Sequence, residues 1–243
     1  MIKKVLFKGI NFYNLKNSDF NRIIKKKGLF VFPSGPGLAS IDNSPKYHNS
    51  LRRANLVFFD SGFFVLLLRF FKNIKVHKFS GYKFLNFFFI YLRSNDKSIF
   101  CIDPNKKVSQ SNKKFFIKLG IKKIYSYLAP TYNPEKLIDK KLLKKINKVK
   151  PNFIITNIGG GTQEILGLYL ITNLKFKTTI LCTGGAISFF TGEQAPIVNL
   201  IDKFYLGWLT RIIFYPIIFL KRYFFAFRLL PIVLRSNVEV KNR

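Results

Sequence analysis

Short apolar runs of strand length recur between residues 29 and 182 of the chain. They lack the alternation of polar and apolar side chains that marks a strand with one face in water. We therefore interpret them as strands that are buried on both faces of a parallel sheet. The runs are 29–33 (LFVFP), 55–59 (NLVFF), 98–102 (SIFCI), 152–158 (NFIITNI) and 178–182 (TTILC).

Segments of helical length separate these runs. The first begins at Ser44, a plausible N-cap, with Pro45 at the first helical position, where proline is tolerated. Strands that alternate with helices are typical of βαβ units. The sequence thus predicts an α/β fold with a Rossmann-like parallel sheet and flanking helices. The predicted helices are 44–54, 106–119, 134–149 and 163–174.

The character of the chain changes near residue 200. No linker or repeat interrupts residues 1–200, and a chain of 243 residues is long enough for one sizeable core. Residues 201–243 mix aromatic and aliphatic side chains with many cations. From residue 203 to residue 243 there is a single acid, Glu239. We interpret 1–200 as an α/β domain and 201–243 as a helical, membrane-associating appendage. The cations from residue 203 onward are Lys203, Arg211, Lys221, Arg222, Arg228, Arg235, Lys241 and Arg243.

The charge of the chain points to a polyanionic partner. Lys and Arg number 42 against 11 Asp and Glu, which gives a formal net charge of +31. Nucleic acid, phospholipid headgroups and a phosphorylated substrate all fit this balance. A biased coding composition, with many lysines that only solvate helix faces, explains part of it. Charge alone does not choose among these partners.

Apolar segments interrupted by cations favour a peripheral attachment to the membrane. No run reaches the roughly 18 to 20 apolar residues that a membrane-spanning helix needs. Asp60, Arg69 with Lys72, and Arg211 with Lys221 interrupt the longest candidates. Bulky apolar residues with cations at short intervals suit a segment lying in the bilayer interface.

The cysteines, histidines and N-terminus favour a cytoplasmic protein without a structural metal. Cys101 and Cys182 are too few and too far apart for a disulfide framework, and His48 and His77 add no ligand spacing. We expect no metal site. The basic N-terminus lacks the apolar core and cleavage site of a signal peptide.

Asp60 is the most conspicuous candidate for catalysis. It stands in the apolar stretch NLVFFDSGFF, where a strand would end. Ligands of open α/β sheets bind outside the carboxyl ends of the strands. Apolar neighbours also favour a raised pKa, which suits a general base that deprotonates a sugar hydroxyl. The alternative is that Asp60 caps the next helix through its backbone N–H groups.

Two glycine-containing turns follow predicted strands and suggest one shared ligand crevice. Gly159, Gly160 and Gly161 lead into Gln163, Glu164 and an apolar helix, and Gly184 with Gly185 follow the strand 178–182. Glycine lets a ligand approach the backbone, and a helix N-terminus attracts phosphate, so a nucleotide-sugar pyrophosphate fits. The spacing matches neither a P-loop nor a dinucleotide fingerprint. Simple tight turns, and a first-turn Glu that only stabilises its helix, remain the alternative.

Four segments in order resemble the WecG/TagA/CpsF family of bacterial glycosyltransferases, over residues 29 to 225. SPKYHNSLRRANLVFFDSG is similar to the family's "dpel…al..ADlv..DG", and PNFIITNIGGGTQE to "PDillvglG.PkQE". GGAISFFTGEQAP is similar to "Gg.fDf.aG…RAP", and LGWLTRIIFYPIIFLKRY to "glEWlyRl..eP.r..RY". Four such segments in the right order are fairly specific.

The resemblance implies an inverting, metal-independent sugar transfer that needs no cofactor. The donor would be a UDP-sugar, typically UDP-N-acetylmannosamine, and the acceptor a polyprenyl-diphosphate-linked sugar at the cytoplasmic face of the inner membrane. The product would enter a cell-surface polysaccharide. On the matching positions Asp60 would be the base, Gln163 and Glu164 would line the donor site, and Arg211 and Arg222 would meet the diphosphate.

Several positions depart from the family pattern and leave alternatives open. The family's Thr-x-Asn falls on Phe32, Pro33 and Ser34, which makes Ser34 a candidate substrate contact. The other departures are Gly161-Thr162 for Pro-Lys, Ser188 for Asp, Gln194 for Arg and Gly207 for Glu. The donor sugar, the acceptor and the oligomeric state, including a homo-oligomer, stay open. So do an inactive family member and a basic nucleic-acid-binding protein, although the apolar tail suits lipid better than a hydrated phosphate backbone.

Overall fold

A computed structural model describes residues 2–192 and 224–241 of the chain. Nine strands of this part belong to one sheet. The strands are β1 (Lys4–Phe7), β2 (Ile10–Tyr13), β3 (Gly28–Val31), β4 (Leu56–Phe58), β5 (Ile99–Asp103), β6 (Ile124–Leu128), β7 (Phe153–Thr156), β8 (Thr179–Cys182) and β9 (Val238–Lys241).

The sheet is mostly parallel. Its strand order is β6-β5-β7-β8-β3-β4-β2-β1-β9. Every neighbouring pair from β6 to β2 is parallel, whereas β1 pairs antiparallel with both β2 and β9. Because the carboxyl ends of parallel neighbours lie at one edge of the sheet, the loops that follow them meet there. The predicted α/β class with a parallel sheet is confirmed.

The five predicted strands form the centre of the sheet. They correspond to β3, β4, β5, β7 and β8, and every residue of each is buried. Burial on both faces explains why these strands are apolar without alternation. The remaining strands were not predicted. β6 lies at one end of the strand order, and all of its residues are half-buried or exposed. β1 and β2 are four-residue strands in which buried positions alternate with more exposed ones.

Helices cover both faces of the sheet. They are α1 (Phe20–Ile23), α2 (Gly35–Ala39), α3 (Pro45–Arg52), α4 (Gly62–Lys72), α5 (Gly81–Arg93), α6 (Lys106–Lys118), α7 (Lys140–Val149), α8 (Thr162–Asn173), α9 (Ser188–Thr191) and α10 (Leu229–Arg235). The predicted helices 44–54, 106–119 and 163–174 correspond to α3, α6 and α8. The prediction of 134–149 began too early, because Asp139 accepts a hydrogen bond from the Leu142 amide and caps α7.

Two apolar cores flank the sheet, one on each face. Alternate residues of one strand enter different cores, as Leu29 and Val31 do on one face and Phe30 on the other. The helices α4 and α5, which the sequence analysis did not predict, contribute Phe64 to the first core and Phe84 to the second. Many of the apolar side chains of these two helices are therefore buried in the interior of the α/β domain.

The described end of the predicted appendage packs on this domain. Leu229 and Val233 of α10 are fully buried in the first core, α10 packs against α2 and α4, and β9 extends the sheet beside β1. The division of the chain near residue 200 stays a prediction. Within residues 2–192 and 224–241, no helix has both the length and the apolar character that crossing a membrane requires.

Candidate active site

Polar and glycine residues collect at the carboxyl edge of the central strands. Ser34 follows β3, Asp60 follows β4, Asp103 ends β5, Asn157 follows β7 and Gly184 follows β8. These strands are parallel neighbours, so their carboxyl ends lie at one edge of the sheet, and we call the space outside that edge the crevice. This edge is the candidate active site.

Asp60 is held by the first residue of α5. Its Oδ1 accepts a hydrogen bond of 2.8 Å from the backbone amide of Gly81, and its side chain is half-buried. The neighbouring Ser61 is the N-cap of α4, because its hydroxyl accepts a 3.2 Å hydrogen bond from the amide of Phe64. Capping of α4 is therefore the task of Ser61, and the carboxylate of Asp60 is oriented toward a different helix.

The hydroxyls of Ser34 and Tyr47 both lie close to Gly37 of α2. Ser34 is the N-cap of that helix, and its hydroxyl accepts a 3.3 Å hydrogen bond from the amide of Gly37. A Cβ atom on Gly37 would lie 2.7 Å from the Tyr47 hydroxyl oxygen and 3.4 Å from the Ser34 hydroxyl oxygen. The small residue thus leaves room for both hydroxyls at the carboxyl edge of β3.

Tyr47 is a site residue that the sequence analysis did not single out, although it lies in one of the four family-like segments. Its side chain is buried, which raises the pKa of the phenol well above its ordinary value. The negative charges of Glu164 and Asp60 raise that pKa further. Tyr47 therefore stays a neutral hydroxyl within the field of both carboxylates.

The first glycine turn is open to solvent. Gly159 and Gly160 are exposed, and a Cβ atom on either, or on Gly161, would meet no atom within 4 Å. Gly161 has a φ of +88°, in the left-handed region that favours glycine. A ligand can approach the backbone here without a side chain in the way.

Gln163 joins the two glycine turns. Its Oε1 accepts a 2.8 Å hydrogen bond from the backbone amide of Gly184 and a 3.3 Å bond from the Thr156 hydroxyl. Its Nε2 donates to Glu164 at 2.9 Å and to the carbonyl of Cys182 at 3.4 Å. The side-chain amide of Gln163 thus makes its hydrogen bonds within the protein, and these bonds hold the two turns together.

Glu164 lies fully buried beneath the first turn. Its carboxylate accepts hydrogen bonds from the Gly161 amide at 2.7 Å and from Gln163 at 2.9 Å. Burial raises the pKa of Glu164 to about 7, and the nearby charge of Asp60 also raises it, while the hydrogen bonds oppose the shift. The amide of Gly161, at the N-terminus of α8, therefore donates to Glu164.

The second turn follows β8 as a 3-10 helix, Gly184–Ile187. Gly184 has a φ of +58° and sits against the side chain of Gln163. Gly185 is exposed. The structure thus brings together Asp60, Glu164 and both glycine turns, as the shared crevice requires.

A buried polar cluster at the same edge escaped the sequence analysis. Oδ1 of Asp103 accepts hydrogen bonds of 2.7 Å from the side-chain amides of both Asn112 and Asn157. Burial raises the pKa of Asp103. A signal was present, because Asp103 ends an apolar run just as Asp60 does, in a chain with 11 acidic residues.

The chain returns to the crevice at Ala226. A Cβ atom on Gly35 would lie 3.0 Å from the Ser61 hydroxyl oxygen and 3.7 Å from Cβ of Ala226, which is buried. The C-terminal segment therefore passes close to the residue that follows Asp60. Arg211 and Arg222, predicted to meet the diphosphate, lie outside the described residues.

In residues 2–192 and 224–241, no three His, Cys, Asp or Glu side chains gather closely enough to hold a metal ion. Both cysteines, Cys101 and Cys182, are buried and unpaired with each other. Burial raises the pKa of each thiol well above its ordinary value.

A comparison with known protein families gives a match over nearly the whole chain. The model of the Glycosyl transferase WecG/TagA/CpsF family matches residues 5–243. The match includes Asp60, both glycine turns and the C-terminal segment, so the resemblance carried by the four segments is confirmed. No curated protein matches the chain.

Proposed function

The chain belongs to the WecG/TagA/CpsF family of glycosyltransferases, and from this premise we propose that it moves a sugar from a UDP-sugar to a polyprenyl-diphosphate-linked acceptor. The donor sugar resembles N-acetylmannosamine, and the product enters a cell-surface polysaccharide. The enzyme works as a peripheral protein at the cytoplasmic face of the inner membrane. The observation that carries the proposal is the oriented carboxylate of Asp60 beside the glycine turns.

Asp60 acts as the general base of an inverting displacement. Its carboxylate takes the proton of the acceptor hydroxyl while that oxygen forms a bond to the anomeric carbon of the donor. The bond between the anomeric carbon and the diphosphate oxygen breaks, and its electron pair leaves with UDP. The hydrogen bond from Gly81 to Asp60 supports this role, because it fixes one carboxylate oxygen and so the direction of the other.

The donor diphosphate lies over the glycine turns. The open backbone at Gly159, Gly160 and Gly161 supports this, as does the exposed Gly185 on the opposite turn. Gln163 positions the two turns, and Ser34 contributes a hydroxyl at the edge of β3. Burial raises the pKa of Glu164 to about 7, so its neutral form is favoured more than in an exposed carboxyl, and this lessens repulsion of the diphosphate.

Arg211 and Arg222 neutralise the diphosphate charge that develops as UDP departs. An arginine fork binds two phosphate oxygens at once, which suits this task. Both arginines lie in the segment similar to the family's "glEWlyRl..eP.r..RY", which supports the proposal. These two side chains thus supply the positive charge that the departing diphosphate needs.

A donor screen tests the proposed function. The full chain is incubated with a panel of UDP-sugars and a short polyprenyl-diphosphate-sugar acceptor, and release of UDP is measured with and without the acceptor. We expect acceptor-dependent release from one donor or a few related ones. If no donor yields such release while the acceptor binds the protein, the chain is an inactive member of its family.

A further inference from the structure

The last turn of α4 exposes aromatic side chains that the interior does not need. The helix buries Phe64, Leu67 and Leu68 against the sheet. Two residues further on, Phe70 is 73% exposed and Phe71 is 51% exposed. Exposing two neighbouring phenylalanines leaves a large apolar area in contact with water, which signals an interaction surface when more apolar residues adjoin it.

The C-terminal segment supplies those adjoining residues. Phe224 is 78% exposed, Phe227 is 56% exposed and Leu234 is 47% exposed. In the described part of the chain, the four exposed phenylalanines all belong to α4 or to this segment. The other exposed large apolar residues are aliphatic or tyrosine side chains: Ile90, Ile117, Tyr125, Leu128, Ile138 and Val240.

Direct contacts join α4 to the C-terminal segment. The rings of Phe63 and Phe227 lie 5.5 Å apart, and Nζ of Lys72 donates a 3.0 Å hydrogen bond to the carbonyl of Leu234. Phe70 is two helical turns from Phe63 and lies on the same side of α4. These two contacts place α4 beside the C-terminal segment. We call the exposed apolar residues of these two neighbours the α4–α10 face: Phe70, Phe71, Phe224, Phe227 and Leu234.

Cations surround the α4–α10 face. Arg69 and Lys72 lie on α4, and Arg228 and Arg235 lie on the C-terminal segment. The sequence holds no acid between residues 61 and 95, and Glu239 is the one acid between 203 and 243. Aromatic side chains among arginines and lysines are typical of surfaces that rest on anionic lipid, where the rings enter the headgroup boundary and the cations meet the phosphates.

We propose that the α4–α10 face docks on an anionic phospholipid bilayer. This rests on the proposed function, in which the enzyme is peripheral to the membrane, and deepens it by adding α4 to the contact that the sequence predicts for residues 201–243. A second copy of the chain fits the face less well. A two-fold contact between identical faces would bring their cations together on molecules that each carry a net charge of +31.

The position of α4 links this surface to the crevice. The helix begins just after Asp60 and has 11 residues, so its exposed end lies about 16 Å from its start. The C-terminal segment likewise passes the crevice at Ala226 before reaching the face. Docking through this face would hold the crevice near the lipid headgroups, where the diphosphate of a polyprenyl acceptor lies.

Flotation of the full chain with vesicles tests the proposal. One set of vesicles mixes phosphatidylglycerol with phosphatidylcholine, and the other contains phosphatidylcholine alone. We expect the protein to float with the anionic vesicles, and the double variant Phe70→Ser/Phe71→Ser to bind them at least about tenfold more weakly, because two aromatic rings no longer enter the interface. Ile90→Ser on α5, where the side chain is 64% exposed, is the matched control and should bind as the parent does.

A second measurement detects contact with the bilayer at single positions and does not require a variant that binds vesicles more weakly. Because Cys101 and Cys182 are buried, an environment-sensitive dye reacts selectively with the new thiol of Phe71→Cys or Ile90→Cys. We expect anionic vesicles to shift the dye to an apolar spectrum at position 71 and to leave it unchanged at position 90. Unchanged flotation of the double variant, or equal spectra at both positions, would overturn the proposal in favour of the tail alone.

Self-association is the remaining outcome. Sedimentation that shows a dimer, dispersed by Phe70→Ser/Phe71→Ser, together with absence of flotation, would assign the face to a second copy of the chain. Flotation uses neither donor nor acceptor. Its failure is therefore distinguishable from a failure of sugar transfer in the donor screen.

Discussion

Oδ1 of Asp60 accepts a 2.8 Å hydrogen bond from the backbone amide of Gly81. This bond ties the end of β4 to the beginning of α5, which lies further along the chain. The bond holds one carboxylate oxygen in place and so fixes the direction of the carboxylate. A base that is fixed in direction meets the geometric requirement of proton abstraction.

Replacing Gly81 tests whether this bond positions Asp60. Gly81→Pro removes the N–H at the first position of α5, where proline is tolerated, and Ser80 already has the extended backbone that precedes proline. We expect kcat of sugar transfer to fall by about 10- to 100-fold through misorientation of the base. Thermal unfolding of the variant should stay close to that of the parent.

Gly81→Ala is the matched control, because it keeps the N–H. Its added methyl group would lie 3.5 Å from the nearest atoms of Thr183, an ordinary contact. We expect near-parental turnover for this variant. Equal rates for the alanine and proline variants would show that the hydrogen bond does not position Asp60.

Glu164 should make the stability of the fold depend on pH. Its pKa rises from 4.5 to about 7 on folding. The folded protein therefore holds this proton to a higher pH than the unfolded chain does. The contribution of Glu164 to the free energy of unfolding is largest below pH 4.5 and declines as the pH rises to 7. The decline amounts to about 3 kcal/mol.

Chemical denaturation at several pH values measures this effect. Glu164→Gln removes the titrating group, so its free energy of unfolding should lack the decline that the parent shows between pH 4.5 and 7. Other acids, including Asp103, titrate in both proteins and cancel in the comparison. Parallel curves for the two proteins would mean that Glu164 titrates alike in the folded and unfolded states.

Gln163 should matter for the integrity of both glycine turns. Gln163→Leu keeps the size of the side chain but leaves the Gly184 amide without the acceptor it has in the parent. We expect a loss of about 2 to 4 kcal/mol in the free energy of unfolding and faster hydrogen exchange at the Gly184 amide. Thr162→Ala, at the half-buried neighbouring position, is the control with a small expected effect. Unchanged exchange at Gly184 in the leucine variant would refute the bridging role.

The central strands were predictable because their burial is complete. A strand such as β7, covered on both faces, needs apolar residues throughout, and that leaves a run that stands out in the sequence. Strands at the margins of the sheet leave no such run. β6 has no fully buried residue, and β9 contributes four residues whose pairing with β1 depends on the fold of the whole chain.

The candidate site was predictable in outline for a similar reason. Strand ends and glycine turns are local features, so Asp60 and the turns around Gly160 and Gly184 could be assigned to one edge. The contacts that orient them are long-range. The amide that binds Asp60 comes from Gly81, and Tyr47 reaches the crevice from α3, so neither contact is visible in the spacing of residues along the chain.

The central claim, that Asp60 is the base of a sugar transfer, is tested most directly by the turnover of Asp60→Asn. Asparagine keeps an oxygen that can accept the Gly81 hydrogen bond, so the fold and UDP affinity should persist, and Asp42→Asn at an exposed ion pair with Lys8 is the control. With the donor found in the screen, we predict that kcat of Asp60→Asn falls by about 10²- to 10⁴-fold while the control turns over normally. Near-parental turnover of Asp60→Asn would contradict the account.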